Sequence, residues 1–149
     1  MIDTIRKKEK KLRKVFSLYI RLRDAIATTG NITYCRCVTC KRSVRVTSWE
    51  LHAGHCFQGK NLWSKYNEQN VHAQCMQCNY DTETQWKKEI HMDYIEKTYG
   101  KNVLHDIQNQ YNNISEISIA DINDMIHDYK QRIQNIKDTY LLPAKDDGF

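Results

Sequence analysis

The chain has 149 residues, 40% of them hydrophobic and 28% charged, with five Gly, one Pro and a net charge of +5. That length gives one domain with a modest core, and so little Gly and Pro argues against long structureless linkers. No run of about 18 apolar residues occurs and the N-terminus is basic rather than signal-like. The expectation is therefore a cytoplasmic protein without a membrane span, whose reduced thiols favour metal ligation over disulfides.

Residues 1–60 hold 14 Lys/Arg against 4 Asp/Glu, a balance of +10, whereas residues 61–149 hold 9 against 14, a balance of −5. The basic half reads as a phosphate-facing surface, the alternative being a solvated charged helix. Residues 1–30 form its first segment, with a helix predicted over 4–28. Leu12, Val15, Phe16, Tyr19, Leu22 and Ile26 make the apolar stripe, and Gly30 with Asn31 makes the stop.

Residues 31–100 read as the chemical core. Cys37-Val-Thr-Cys40 and Cys75-Met-Gln-Cys78 are two C-x2-C hooks, the ligand set of a closed tetrahedral zinc site that is structural rather than catalytic. Cys35 is a rival to Cys37 for that site, and Cys56 reads as a packed thiol. Val44–Trp49 alternates like a short strand, and His52–His55 belongs to a second strand or its end. Residues 56–74 are polar and read as a long loop tied down by the hooks. Asp81 and Thr82 can cap a helix whose face carries Trp86, Ile90 and Tyr94 and which Gly100 ends.

Residues 101–142 carry a short helix with Val103, Leu104, Ile107 and Tyr111, then the capping-box pattern Ser118-Ile-Ala-Asp121. In the last helix Ile122, Ile126, Tyr129, Ile133, Ile136 and Tyr140 step as a heptad seam. The seam suits either a second copy of the chain or the N-terminal helix of the same chain. Residues 143–149 read as a frayed, flexible tail.

His55 is the candidate general base, because phosphodiester hydrolysis needs a group near neutral pKa to take a proton from water. Asn79, just after the last hook, is placed to offer an amide oxygen to a divalent cation that offsets charge on the phosphate. Asn70 can bridge backbone groups and fix its loop. His52 and His55 lie three apart and share a site only if Ala53-Gly54 forms a bulge or turn. Should His52 bind the catalytic metal, imidazole tilts preference from Mg²⁺ toward Mn²⁺. His72 is a further candidate ligand, equally readable as an ordinary loop histidine. His91, His105 and His127 read as surface or interhelical residues. Arg13, Lys14, Arg21, Arg23, Lys41, Arg42 and Arg45 are the candidate phosphate contacts.

The pattern Cys37-x2-Cys40, Ala53-Gly-His55, Tyr66-Asn-Glu-Gln-Asn70 and Val71-His-Ala-Gln-Cys75-Met-Gln-Cys78-Asn79 resembles the HNH (ββα-metal) nucleases with a zinc-ribbon frame. More narrowly it is similar to the phage lambda NinG (Rap) recombination proteins, the likeness running from Tyr19-Ile-Arg-Leu-Arg-Asp24 through Tyr94-Ile-Glu-Lys-Thr-Tyr-Gly100. The resemblance implies an α+β fold, a small zinc-braced ββα core flanked by N-terminal and C-terminal helices. It implies a structure-specific endonuclease for branched DNA such as Holliday junctions and D-loops, one catalytic divalent metal and a homodimer, with recombination proteins as partners in a bacterial host cytoplasm. On the matching positions His55 is the base, Asn79 the metal-binding last residue and Asn70 the middle asparagine. Two positions depart from the family pattern: Gly54 stands where an aspartate is common, and Tyr-Asp-Thr-Glu follows Asn79. A nuclease or nickase on ordinary duplex, a non-catalytic zinc DNA-binding module and a protein adaptor are the alternatives.

Overall fold

A 28-residue helix, α1 (Ile2–Thr29), runs under the rest of the structure. The computed structural model describes residues 2–58, 61–81, 84–110 and 116–141. Leu12, Phe16 and Ile20, spaced by one helical turn, are buried on its core face. Burying each is worth about 1.5–3 kcal/mol. Gly30 ends the helix at φ 74, and its N–H donates to the Ile26 carbonyl at 2.9 Å. A glycine is the residue for that left-handed position.

Two antiparallel hairpins follow. β1 (Tyr34–Arg36) pairs with β2 (Ser43–Arg45), and β3 (Leu51–His55) pairs with β4 (Val71–Cys75). Here the structure corrects three expectations. The strand foreseen over Val44–Trp49 stops at Arg45 and pairs upstream, while 46–50 turns. The partner of His52–His55 is β4, so the stretch read as a long loop holds a strand and a short helix, α2 (Leu62–Lys65). The β3–β4 register also runs unbroken from Leu51 opposite Cys75 to His55 opposite Val71, so Ala53-Gly54 forms no bulge.

The outer edge of β4 is sealed by side chains rather than by a strand. Ala73 N–H donates to Asp24 Oδ2 at 2.6 Å, and Arg23 donates to the Val71 carbonyl at 2.8 Å. Val38 N–H donates to the Ala73 carbonyl at 2.9 Å. An unpaired edge would be both a desolvation cost and an aggregation template.

α3 (Met76–Tyr80) continues from β4, then come α4 (Gln85–Tyr99), α5 (Lys101–Gln110) and α6 (Ile119–Leu141). Thr84, not Asp81, occupies the N-cap of α4. The buried residues of α4 are His91 and Ile95; of the face foreseen from Trp86, Ile90 and Tyr94, Tyr94 packs edge-on against His72 with centroids 4.9 Å apart, whereas Trp86 is 54% exposed. Ser118 and Asp121 form the reciprocal capping box, Ser118 N–H to Asp121 Oδ2 at 2.9 Å and Asp121 N–H to Ser118 Oγ at 3.1 Å. Ile122, Ile126 and Tyr129 pack with Leu12, Phe16 and Ile20 of α1, and Ile133 joins the neighbouring cluster. The heptad seam is therefore used within one chain. Thr82, Tyr111, Gly59 and the tail 143–149 lie outside the described residues. Among the described residues no helix is long and apolar enough to cross a membrane.

Candidate metal centre and the cleft beside it

The first hook leaves β1, and its turn closes with Lys41 N–H on the Cys37 carbonyl at 3.0 Å and Cys37 N–H on the Arg42 carbonyl at 2.9 Å. Lys41 sits at φ 64, a left-handed conformation costing a non-glycine residue about 1 kcal/mol or more. The second hook spans the end of β4 and the first turn of α3. The Sγ atoms of Cys37, Cys40, Cys75 and Cys78 all lie within 4.8 Å of one another, with Cys40 and Cys75 3.7 Å apart. Thiolates about 2.3 Å from a tetrahedral zinc stand about 3.8 Å from each other, so the four sulfurs fit that ion. Burial works against ionising Cys37, but backbone N–H groups of Cys75, Cys40 and Thr39 bring its pKa below the ordinary thiol value. Burial pushes Cys75 and Cys78 up; the sulfurs of Cys37, Cys75 and Cys40 add to it at Cys78, whereas at Cys75 those of Cys37 and Cys40 add to it and Cys78 opposes it. A cation is what such a crowd of sulfurs lacks. Cys35, the rival ligand, is buried beside Thr28 with its pKa pushed up to about 12, as is that of buried Cys56.

Against the open face of β3 lies a cleft of about 610 Å³. His52, His55 and Asn79 line it together with Arg13 and Arg21 from α1 and Lys65 from α2. None of its described lining residues is acidic. His52 and His55 reach one cleft without a bulge because a two-stranded ribbon twists strongly and His55 closes the strand.

His55 Nε2 lies 2.7 Å from the Lys65 carbonyl. A carbonyl only accepts, so Nε2 carries the proton and Nδ1 keeps the lone pair. Burial holds the His55 pKa below the ordinary value. The Lys65 carbonyl opposes that, and the charges of Lys65 and Arg13 add to it. The ring is neutral at neutral pH, the state a base requires.

His52 is fixed the same way. Its Nε2 donates to the Trp49 carbonyl at 3.0 Å, and Nδ1 accepts from Asn79 Nδ2 at 3.0 Å. Gly54 explains why the residue before the base has no side chain. A Cβ there would run into Gln74 Oε1 and lie 2.9 Å from Gln74 Cβ and 3.0 Å from Asn79 Oδ1. Gln74 is buried and donates to Thr39 Oγ1 at 2.8 Å, yet among the described residues its Oε1 has no hydrogen-bond partner. Two amide oxygens thus face one small space beside Gly54.

Asn70, buried at the mouth of β4, accepts from Phe57 N–H at 2.9 Å and donates to the carbonyls of Phe57 at 2.8 Å and Ser64 at 3.3 Å. It ties the two sides of the β3–β4 connection. His72 is not brought to the cleft. It is 1% exposed, with Nδ1 2.9 Å from His91 Nε2 and Nε2 3.2 Å from the Tyr99 hydroxyl. Burial lowers their pKa values to about 2 for His72 and about 3 for His91. His91, read as a surface or interhelical residue, is instead the contact that docks α4 on β4.

The candidate phosphate contacts divide. Arg13 and Arg21 line the cleft, and Lys14, Lys41, Arg42 and Arg45 are exposed. Arg23 belongs inside: it ion-pairs with Asp24 at 2.7 Å and holds the carbonyls of Glu68 and Val71, both at 2.8 Å. It is thereby corrected to a structural residue. The residues that sequence reasoning missed are Lys65, whose backbone polarises His55, and Gln74. Only contact across the fold reveals either.

A family model described as "Bacteriophage Lambda NinG protein" matches residues 2–139 of the chain. No curated protein and no solved structure matches it.

Proposed function

The chain belongs to the bacteriophage lambda NinG family of recombination-associated phage proteins, and from that premise we propose that it is a metal-dependent endonuclease for branched double-stranded DNA. The observation that carries this reading is a neutral histidine in a cleft whose charged lining residues, Arg13, Arg21 and Lys65, are all cationic. His55 Nδ1 takes the proton of the attacking water while Nε2–H, held by the Lys65 carbonyl, fixes the ring and stabilises the imidazolium that results. Arg13, Arg21 and Lys65 bind the phosphate backbone.

Asn79, by its amide oxygen, and His52, by Nδ1, would hold Mg²⁺ or Mn²⁺, which supplies charge compensation for the phosphate and the departing 3′ oxygen. The residues fit such an ion. His52 is held as the Nε2–H tautomer, leaving Nδ1 a lone pair, and the unpartnered Gln74 Oε1 lies with Asn79 Oδ1 beside Gly54. Turning the Asn79 amide over would give Gln74 Oε1 its missing donor and place an oxygen beside His52 Nδ1. The zinc site keeps a structural role, since four thiolates leave no open position. A homodimer would present two such centres to the strands of a junction, in company with recombination proteins in the host cytoplasm.

The test is a cleavage assay on a four-way junction, a D-loop, a flap and plain duplex, with Mg²⁺ or Mn²⁺ added. Branched substrates cut by the wild type and spared by His55→Ala support the reading. Equal cutting of plain duplex would make it an ordinary duplex nuclease or nickase, and binding without cutting a zinc DNA-binding module.

A further inference from the structure

Nothing in the basic rim tells a branch from a duplex, because phosphates line both. The exposed aromatic rings beside it do. Trp49 is 72% exposed and Tyr80 71% exposed, among the largest apolar surfaces left in solvent. Their places are fixed. Trp49 lies in the turn closed by Leu51 N–H on the Ser48 carbonyl at 3.2 Å, with Glu50 N–H on Ser48 Oγ at 3.1 Å. Its own carbonyl takes the His52 Nε2 proton at 3.0 Å. Tyr80 follows Asn79 at the end of α3 and meets the His52 ring edge-on, centroids 5.6 Å apart at 71°. Two exposed aromatic residues on ordered backbone therefore adjoin His52, Trp49 through its carbonyl and as part of the cleft lining, Tyr80 through its ring.

A large ring held in water on an ordered backbone forfeits burial, and a lone one is unremarkable. Two at one cleft, next to arginines, match the groove-plus-platform arrangement by which proteins hold single strands. In a duplex the base faces are already stacked on one another and offer such platforms nothing. At a branch point, a flap or a gap they are free.

We propose that Trp49 and Tyr80 are stacking platforms for unpaired DNA bases, and that they give the cleft its preference for branched over fully paired DNA. This rests on the cleft being the DNA-binding face. Charge complementarity favours nucleic acid as the occupant: Arg13, Arg21 and Lys65 share the cleft with Trp49, with no acidic residue among its described lining.

The test is binding without added Mg²⁺ or Mn²⁺, so that cutting plays no part. Labelled 5′-flap and fully paired duplex of equal length are titrated with wild type, Trp49→Ala, Tyr80→Ala and Trp49→Phe and followed by fluorescence anisotropy. Each alanine should weaken flap binding about tenfold, the order expected for one lost stacked base. Trp49→Phe should stay within about twofold of wild type, and duplex affinity should hardly move. Equal losses on flap and duplex would overturn the proposal. So would no loss on the flap, which would leave the rings to a protein partner. Wild type that binds neither DNA would remove the reading of the cleft and this inference with it. Should Trp49→Ala lose its zinc, a Trp63→Phe/Trp86→Phe protein keeps Trp49 as its sole tryptophan. Its fluorescence should be quenched by an oligothymidine strand and not by duplex, and unchanged emission would overturn the proposal.

Discussion

The four-cysteine clip and the cleft share one hairpin, β3–β4, and are built on opposed principles. At the clip, four like ligands converge, three of them buried, and the arrangement closes on itself. At the cleft, unlike groups meet, and some of them are committed on one side only. His55 spends Nε2 on a carbonyl and keeps Nδ1, and Asn79 leans on His52 with its nitrogen. Closure gives stability and leaves no room for chemistry. Half-satisfied groups give chemistry, and only a rigid neighbour keeps them from collapsing onto one another. The clip is that neighbour, since Cys75 ends the strand opposite Leu51 and Cys78 precedes Asn79.

Stripping zinc is the largest blow this comparison allows. Ligation of a structural zinc is worth on the order of 10 kcal/mol, so a strong chelator, or Cys40→Ser, should abolish cooperative unfolding of the hairpins. Circular dichroism and zinc stoichiometry follow it, and a Cys40→Ser protein melting like wild type would refute the closed site. At the cleft, His55→Ala should cut the cleavage rate by about 10²–10⁴-fold while thermal stability holds within about 1 kcal/mol. A variant that loses both together would mean the two regions are not separable.

Asn70→Ala should land between those extremes. It strands the Phe57 N–H and the carbonyls of Phe57 and Ser64, which should cost about 2–4 kcal/mol in urea denaturation. Acid probes the far side of the hairpin to a similar extent. The folded pKa values of His72 and His91, about 2 and about 3, lie below the unfolded value of 6.5, so the unfolded chain takes up protons first. Their contribution is complete above pH 6.5 and declines as pH falls below it, by about 2 kcal/mol for each ring at pH 5. A denaturation midpoint that is flat from pH 7 to 5 would contradict the buried pair. His55 is also depressed, so cleavage should hold level down to pH 6.5 and decline only in more acid solution. The smallest effect is the most diagnostic. Arg13→Ala should lower the salt slope of DNA binding by about 1 with little change in stability, and Arg23→Ala should do the reverse.

What the sequence made legible follows from how local each signal is. The hooks are short-range motifs, and their pairing was readable from spacing alone. The stripe on α1, the Ser118–Asp121 box and the seam of α6 were readable because helices repeat every few residues. Only the fold revealed that the seam serves α1, since the same pattern suits a second chain. β4 does alternate, apolar Val71, Ala73 and Cys75 with polar His72 and Gln74, but it sits at the end of a long polar stretch, and its two polar residues are buried rather than facing solvent. Arg23 looked like every other cation on α1, and nothing in its neighbours announces that it seals a strand edge. His55, Asn70 and Asn79 stood out in the sequence as polar residues set around the second hook. The carbonyl that polarises His55 did not, because a backbone group bears no side-chain signature.

One consequence of the packing around Gly54 reaches beyond this molecule. Gln74 occupies the volume that any side chain at 54 would need, so position 54 can change only after position 74 has. Gly54→Asp alone drives its Cβ into the Gln74 amide and to 2.9 Å from the Gln74 Cβ, and only glycine at 74 removes both contacts. The order of the two changes therefore matters: taken one way each step is open, taken the other the first step is barred.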